Sequence, residues 1–201
     1  MKNSMFLIKF TFLIIVSLLY GSPVFDDISN WTVLSKSPVW VGWVEIDGEY
    51  WCESHKLIPF SIDKVSSVIN DKKNYPNVFK RILTTDSYGD IVHVKLDMPF
   101  PFASRDYIVE YSEYIDNDTI FYNWSSLSDT SISESDKYVR LVNAAGQWKL
   151  ISIDSKTYVY YRWNGELRGD FPDWALTRAW NEQGTEVLLW LEEYLESKKY
   201  D

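Results

Sequence analysis

The stretch that decides the fold is Asp97–Tyr107, which reads DMPFPFASRDY. Pro99 and Pro101 exclude a helix here, because proline lacks a backbone N–H and its ring clashes with the preceding turn, and they leave a strand ladder short of donors. After them, Ser104–Asp106 opens a run that continues through Tyr107–Tyr111 and predicts a strand. The chain is therefore expected to make a stiff aromatic-proline corner and then enter a strand with a charged pair at its start.

Length and composition indicate one globular domain. The chain has 201 residues, of which 46% are hydrophobic and 24% are charged, which is typical of a packed core rather than of disorder. Aromatic residues make up 17% and indicate large apolar surfaces lined by rigid rings, whether a cavity wall or a plain β core. The formal net charge of −9 disfavours nucleic acid as a partner, and no basic patch attracts the chain to anionic lipid headgroups.

The N-terminal residues have the pattern of a secretory signal peptide. Lys2 and Lys9 flank the start of an apolar run, Phe10–Tyr20, that is short for a transmembrane helix, and Gly21-Ser22 offers small residues for cleavage. We therefore expect residues 1–21 to be a signal peptide and residues 22–201 to form the mature, secreted or periplasmic domain. An uncleaved membrane anchor is the alternative. Cys52 is the only cysteine, so an intramolecular disulfide is excluded.

The remaining pattern predicts an α+β fold in which an antiparallel sheet is followed by one long helix. A short helix is expected at Asp26–Trp31 within the polar segment Pro23–Pro38, and a second helix at Ser61–Asn70 that ends at Asn74–Asn77. Strands are expected at Val39–Ile46, Tyr50–Leu57, Phe79–Asp86, Ile91–Leu96, Arg105–Ile115, Thr119–Trp124, Tyr138–Asn143, Gln147–Ile153 and Lys156–Trp163.

Two turns and the last helix complete this prediction. Asp47-Gly48 is a strong hairpin signal, and Tyr138–Asn143 is expected to pair with Gln147–Ile153 as another hairpin. After Asp173, apolar residues recur at helical spacing, with Gly184 as a point where the helix can bend. A sheet with one apolar face needs a cover, which this helix can supply.

Three motifs of the chain resemble those of START domains, the lipid-transfer domains related to the steroidogenic acute regulatory protein. They are Pro99–Pro101 with Arg105–Tyr107, the strands from Tyr138 through Trp148 to Tyr160, and Gly169–Trp174 before the last helix. The resemblance covers Val39 to Leu195. It implies the helix-grip fold, in which a curved antiparallel sheet surrounds a long C-terminal helix.

The resemblance also implies a function. It implies a non-enzymatic domain that holds one lipid in a tunnel between sheet and C-terminal helix, as a carrier or a sensor, with Ser125–Asp136 in the place of the family's gate loop. The family's ligands include sterols, phospholipids and ceramides. Sterol-binding animal members often have a second arginine six positions after the first, and that position is Tyr111 here. The expected partners of this monomer are a lipid and, transiently, a membrane, with no cofactor or metal.

The alternation of side chains along a strand gives the first candidate ligand-binding residues. Arg105, Tyr107, Val109 and Tyr111 share one face of their strand, interpreted as the inner one, and Asp106 points the other way. Arg105 then needs a partner from another strand or a ligand headgroup, or else it binds the backbone of the proline corner. The full set of candidates is Arg105, Tyr107, Tyr111, Tyr122, Trp124, Trp148, Tyr160, Trp180 and Val187, with Tyr158 as a further ring. Plain core packing is the alternative for each of them.

Two other functions remain open from the sequence. A cyclase- or hydrolase-like enzyme of the same superfamily would need polar groups in the cavity, with His93 or Glu110 as candidates, although Glu110 is expected to lie opposite Arg105. Cys52 and His55 face opposite sides of one strand and make a poor nucleophile–base pair. A filled-core interaction protein is the third possibility. Arg140 and Arg162 are interpreted as outward cations on a solvated face.

Overall fold

The computed structural model describes residues 25–127 and 132–199. The predicted signal peptide lies outside the described residues, as does the centre of the predicted gate loop. The described chain forms a ten-stranded sheet that curves around a long C-terminal helix. The strands are β1 (Thr32–Ser35), β2 (Trp40–Ile46), β3 (Glu49–Ile58), β4 (Ile82–Tyr88), β5 (Ile91–Leu96), β6 (Ser104–Asp116), β7 (Thr119–Ser126), β8 (Tyr138–Arg140), β9 (Ala145–Ile153) and β10 (Lys156–Asn164). The helices are α1 (Ile62–Asn70), α2 (Tyr75–Val78) and α3 (Asp173–Ser197), with 3-10 turns at Phe25–Asp27 and Lys72–Asn74.

The strand order places the N-terminal strands β1–β3 beside the last strand, β10. It runs β1-β2-β3-β10-β9-β7-β6-β5-β4, and β8 pairs with β6 off this path. All neighbours on the path are antiparallel. Helix α3 packs against β1, β2, β3 and β10, and against the two short helices. The expected α+β architecture, with an antiparallel sheet covered by the terminal helix, is therefore confirmed.

The predicted hairpin at Asp47-Gly48 is also confirmed. Asp47 has φ 54° and Gly48 has φ 83°, so both central residues are left-handed, which matches the twist of the flanking strands. The pairing of Ile46 with Glu49 sets the register of β2 and β3. In that register Cys52 lies in the core and His55 on the opposite face, where it stacks on Trp40.

The predicted hairpin between Tyr138–Asn143 and Gln147–Ile153 is wrong. Only β8 is a strand in the first segment, and it pairs in parallel with β6, with Tyr138 opposite Ser104. The reason is electrostatic, because Arg140 on β8 donates two hydrogen bonds to the Asp106 carboxylate of β6. A local turn signal cannot report such a long-range ion pair.

Three smaller expectations also need correction. The polar segment Pro23–Pro38 contains β1, which pairs with β2. The helix expected at Asp26–Trp31 is only a 3-10 turn at Phe25–Asp27, and Ile28 and Trp31 pack against a small cluster of Phe25, Val44 and Trp51. The expected helix end at Asn74–Asn77 is the short helix α2, because Pro76 lies in its first turn, where proline is tolerated.

Helix α3 is continuous through Gly184, which serves close packing rather than a bend. A Cβ on Gly184 would lie 2.9 Å from Trp163, 3.0 Å from Val41 and 3.1 Å from Ser54. Glycine thus lets the helix backbone approach β2, β3 and β10. Within the described residues, no helix is both long enough and apolar enough to cross a membrane.

Candidate functional site

A cavity of about 120 Å³ lies between the inner face of the sheet and α3. Strand β6 contributes Arg105, Tyr107 and Tyr111 to its wall by the alternation expected from the sequence, and α3 contributes Val187 and Trp190. The aromatic side chains of the wall are Tyr75, Phe79, Tyr107, Tyr111, Trp124, Trp148, Tyr161, Trp163 and Trp190. The cavity is therefore an apolar space with rigid walls.

The rings on neighbouring strands support each other. Tyr161 lies centroid to centroid 4.5 Å from Trp148, 4.8 Å from Trp163 and 5.8 Å from Trp124. Ring pairs at such distances stabilise a packed arrangement beyond their area of burial. Burial raises the pKa of Tyr161 to about 12, so its hydroxyl is neutral under ordinary conditions.

The other cavity tyrosines also carry neutral hydroxyls. Burial raises the pKa of Tyr75, Tyr107 and Tyr111. Tyr75 donates a hydrogen bond of 2.7 Å to the Ile69 carbonyl. The wall thus combines aromatic rings and neutral hydroxyls with a smaller set of charged side chains, and this mostly apolar composition is that of a site for a hydrophobic ligand. The charged side chains are Arg81, Asp97, Arg105, Glu166 and Glu186.

Arg105 is almost fully buried and binds the backbone. Its Nε and Nη2 donate to the carbonyls of Leu167 and Arg168 at 3.2 and 3.1 Å, and its Nη1 donates to the Ala103 carbonyl. No ion pair among the described residues includes Arg105. Burial lowers its pKa. Of the alternatives drawn from the sequence, the arrangement fits an arginine that fixes the backbone around the proline corner.

An ion pair stands at the edge of the cavity. Arg81 donates two hydrogen bonds, of 2.6 and 3.0 Å, to the Glu186 carboxylate of α3. Beyond it lies an outer groove of about 340 Å³ between the proline corner and the first half of α3. Arg81, Met98, Leu167 and Gln183 line both spaces. The two spaces therefore adjoin, and we call these four shared side chains the partition.

Two aromatic side chains stand exposed on the outer groove. Phe100 of the proline corner is 97% exposed and Trp174 in the first turn of α3 is 81% exposed. Phe102 and Phe171 pack on each other between them, with ring centroids 4.4 Å apart. The corner singled out in the sequence is thus one wall of an apolar groove at the surface.

The predicted gate loop begins beside the cavity. Ser126, at the end of β7, donates a hydrogen bond of 2.8 Å to the carbonyl of Ala144, which lines the cavity. Residues 128–131 of this loop lie outside the described residues.

Three of the candidate residues lie elsewhere than in the cavity wall. Tyr160 points to the outer face, near His55 and Lys149, as does Tyr158. Tyr122 is on the inner face, but α1 covers it, and its hydroxyl lies 2.7 Å from that of Ser66. Trp180 is buried against Trp43, and its indole N–H donates to the Gly165 carbonyl at 2.8 Å.

The ring residues that the sequence interpretation missed on β10 are Tyr161 and Trp163. Strand β10 has aromatic residues of both parities, so ring content alone does not identify the inner face. The charged residues of β10 identify the inner face. Lys156 and Arg162 share the parity of Tyr158 and Tyr160, so an inward position for those two rings would also put both charges in the core. Thr157 and Val159, which share the parity of Tyr161, are fully buried.

The two candidate catalytic groups also lie outside the cavity. His93 is on the outer face, with its Nε2 2.8 Å from the Asp106 carboxylate, and Glu110 is exposed. Asp106 also binds Arg140, which is therefore an ion-paired side chain and not the solvated cation expected. Burial alone would raise the pKa of Asp106, but hydrogen bonds from Arg140 and His93 lower it.

Arg162 is likewise not a solvated cation. It is 4% exposed and binds Glu53 at 2.7 Å, Gln147 at 2.8 Å and Asp26 at 2.9 Å. Lys149 also binds Asp26, at 2.6 Å. The N-terminal turn at Phe25–Asp27 covers this network, so a strand position that reads as surface is enclosed. Among the described residues, no group of three or more His, Cys, Asp or Glu side chains could hold a metal ion.

Comparisons with known proteins agree on the fold. No protein-family profile and no curated protein matches the sequence. A STAR-related lipid transfer protein from Xanthomonas axonopodis is 17% identical with a TM-score of 0.74, over 84% of this chain and 99% of that one. Human StAR-related lipid transfer protein 5 is 14% identical with a TM-score of 0.77, over 86% of this chain and 90% of that one.

A more distant likeness connects the fold to an enzyme. The Zhui aromatase/cyclase from Streptomyces is 14% identical with a TM-score of 0.52, over 73% of this chain and 93% of that one. The higher TM-scores belong to the lipid transfer proteins, which superpose on 84% and 86% of this chain. The chain therefore has the helix-grip fold of START domains.

Proposed function

We propose that this protein binds one hydrophobic ligand in the cavity between sheet and α3, as a lipid carrier or sensor without catalytic activity. The observation that carries the proposal is the aromatic cavity in the position where the fold's terminal helix covers the sheet. The lipid transfer proteins of the same fold support it. The groups first considered for catalysis, His93 and Glu110, lie outside this wall, which favours binding over chemistry.

The size of the cavity implies that the ligand enters by an opening motion. A cavity of about 150 Å³ accommodates a molecule of the size of benzene, and the cavity here has about 120 Å³. A lipid chain therefore requires α3 to move away from the sheet, together with the loop Ser125–Asp136. The partition at Arg81–Glu186 would separate in the same motion and join the cavity to the outer groove.

We place the membrane contact at the outer groove. Phe100 and Trp174 are exposed beside it and would enter the interfacial region of a bilayer, where aromatic rings are favourable. The net charge of −9 disfavours strongly anionic membranes. Contact with a neutral bilayer would present the partition directly to the lipid.

The N-terminal pattern supports a proposal for the location of the protein. We propose that residues 1–21 direct it to the periplasm or the exterior, where it acts as a monomer. The mass of the mature protein from fractionated cells tests this: a chain beginning at Ser22 in the soluble fraction is expected. A full-length chain in the membrane fraction would favour the anchor instead.

The test of the binding function is lipid uptake from vesicles of mixed neutral lipids. After incubation, the protein is separated from the vesicles, extracted with organic solvent, and its lipids are identified and counted. We expect one apolar molecule per chain, enriched over its share of the vesicles. Lipid recovered only in the proportions of the vesicles, or none at all, would overturn the proposal and favour a filled core.

A further inference from the structure

We propose that the ligand is a neutral hydrophobic molecule that carries an accepting oxygen, such as a hydroxyl, ketone or ester group. Anions, cations and plain hydrocarbons are then poor ligands. This inference rests on the proposed function and narrows it to a class of ligand. Three features of the cavity wall carry it: an unpaired indole N–H, neutral hydroxyls, and the balance of charges.

The unpaired donor is Nε1 of Trp163. Trp163 lines the cavity, its side chain is 5% exposed, and among the described residues its Nε1 has no hydrogen-bond partner. The ring is fixed on two sides, because it stacks on Tyr161 at 4.8 Å and lies against Gly184 of α3. It cannot easily turn toward another acceptor. A buried donor without a partner is costly, so a ligand oxygen beside it gains affinity.

The tyrosines add neutral polar groups to the same cavity wall. Burial raises the pKa of Tyr107 and Tyr111, and it raises that of Tyr161 to about 12, so all three keep their protons at neutral pH. The Tyr161 hydroxyl accepts a hydrogen bond from Gln183 at 3.4 Å, and its own proton is then free to be donated. These groups favour an oxygen that accepts.

The charges of the wall disfavour an ionised headgroup. The cavity is lined by the carboxylates of Asp97, Glu166 and Glu186 and the guanidiniums of Arg81 and Arg105, so the formal balance is 2 − 3 = −1. Arg81 is occupied by Glu186, and Arg105 by backbone carbonyls. An anion would therefore be buried beside a net negative wall. An ammonium group has only donors and would leave the Trp163 N–H unpaired.

The experiment is displacement of the neutral fluorophore N-phenyl-1-naphthylamine from the wild-type protein at neutral pH. The competitors share one chain length and differ in their end group: 1-decanol, decanoate, decylamine and n-decane. We expect decanol to bind about tenfold more tightly than each of the others, which is the value of one hydrogen bond to a buried donor. This order tests the inference without any variant.

A pair of variants assigns the preference to Trp163. Trp163→Phe should remove the roughly tenfold preference for decanol over decane while leaving the affinity for decane unchanged. Trp43→Phe is the matched control, because the Nε1 of Trp43 is also buried without a partner but Trp43 is not part of the cavity wall. It should keep the preference. Circular dichroism verifies that both variants are folded.

The outcomes separate this inference from the function on which it rests. If decanoate, decylamine or decane equals decanol, or if folded Trp163→Phe keeps the preference, the ligand class is wrong and the binding function stands. If neither the fluorophore nor any competitor binds the folded protein, the binding function fails, and the ligand class fails with it.

Discussion

Asp106 joins two strands through its carboxylate oxygens. Arg140 of β8 donates to both oxygens at 2.8 and 2.7 Å, and the His93 ring lies 2.8 Å from one of them. Because the hydrogen bonds lower the pKa of Asp106 below its usual 3.8 despite burial, its stabilisation is fully present above the unfolded pKa. It is lost as the pH falls through the folded pKa.

Asp106→Asn should lower the free energy of unfolding by roughly 3 kcal/mol at neutral pH, because it leaves Arg140 without its counter-charge. Urea denaturation at a series of pH values measures the loss, and the difference from the wild type should shrink below about pH 4. Asp86→Asn is the control, since that exposed carboxylate lies 4.0 Å from Lys95 and should change stability by less than about 0.5 kcal/mol. A difference that is independent of pH would contradict this role of Asp106.

At the scale of elements, α3 is held against the sheet by packing and by ion pairs. Gly184 allows the close approach to β2, β3 and β10. Glu186, Glu192 and Glu193 of the helix bind Arg81, Lys56 and Lys80 on the sheet side. The packing fixes where the helix lies, and the partly exposed ion pairs can separate without leaving a buried charge.

Gly184→Ala should destabilise the protein by about 1–3 kcal/mol, although alanine favours helices, because the added methyl would overpack Val41, Ser54 and Trp163. Thr177→Ala on the exposed side of α3 is the control and should have no such effect. Denaturant midpoints of the two variants measure the difference. A Gly184→Ala variant as stable as the wild type would show that the helix can shift at little cost.

Glu186→Gln should speed ligand release several-fold, because the Arg81–Glu186 pair ties Arg81, a side chain of the partition, to α3. Stopped-flow release of a fluorescent ligand measures the rate. Glu193→Gln, which breaks the exposed Lys80–Glu193 pair outside both the cavity and the outer groove, should leave the rate unchanged. The exchanged pair Arg81→Glu with Glu186→Arg should slow release again. Equal rates for Glu186→Gln and Glu193→Gln would exclude the partition as the route.

At the scale of the whole molecule, the cavity and the exposed outer groove adjoin at the partition. The outer groove ends in Phe100 and Trp174, which come from distant parts of the chain, the proline corner and the start of α3. This arrangement supports the proposal that the Phe100 and Trp174 end contacts a bilayer and that the ligand enters from there.

Replacing both tip residues, Phe100→Ser with Trp174→Ser, should slow transfer of a fluorescent lipid between neutral vesicles by about tenfold or more, since two aromatic anchors are lost. Equilibrium binding of the ligand in solution should not change. Tyr88→Ser, at another exposed aromatic position of 67% exposure, controls for general surface effects. The membrane contact would lie elsewhere if transfer slows equally in Tyr88→Ser, or if it does not slow in the double variant.

The sequence predicts the architecture because local signals and the proline corner agree. Turn residues such as Asp47-Gly48 and the alternation along β6 depend on neighbouring residues, and so they are readable. The pairing of β8 with β6 and the enclosure of Arg162 depend on ion pairs between residues more than 30 positions apart. The wall of the cavity was predicted on β6 but not on β10, where aromatic residues of both parities concealed the inner face.

The most direct test of a ligand in this cavity is native mass spectrometry of two proteins after incubation with mixed lipid vesicles. One is the wild type and the other is Val187→Trp, which fills the cavity from α3; Thr177→Trp on the exposed side of the same helix is the control. We expect a single added lipid mass on the wild type and on Thr177→Trp, and none on Val187→Trp. An unliganded wild type, or equal loading of a folded Val187→Trp protein, would contradict the assignment of the cavity as the ligand site.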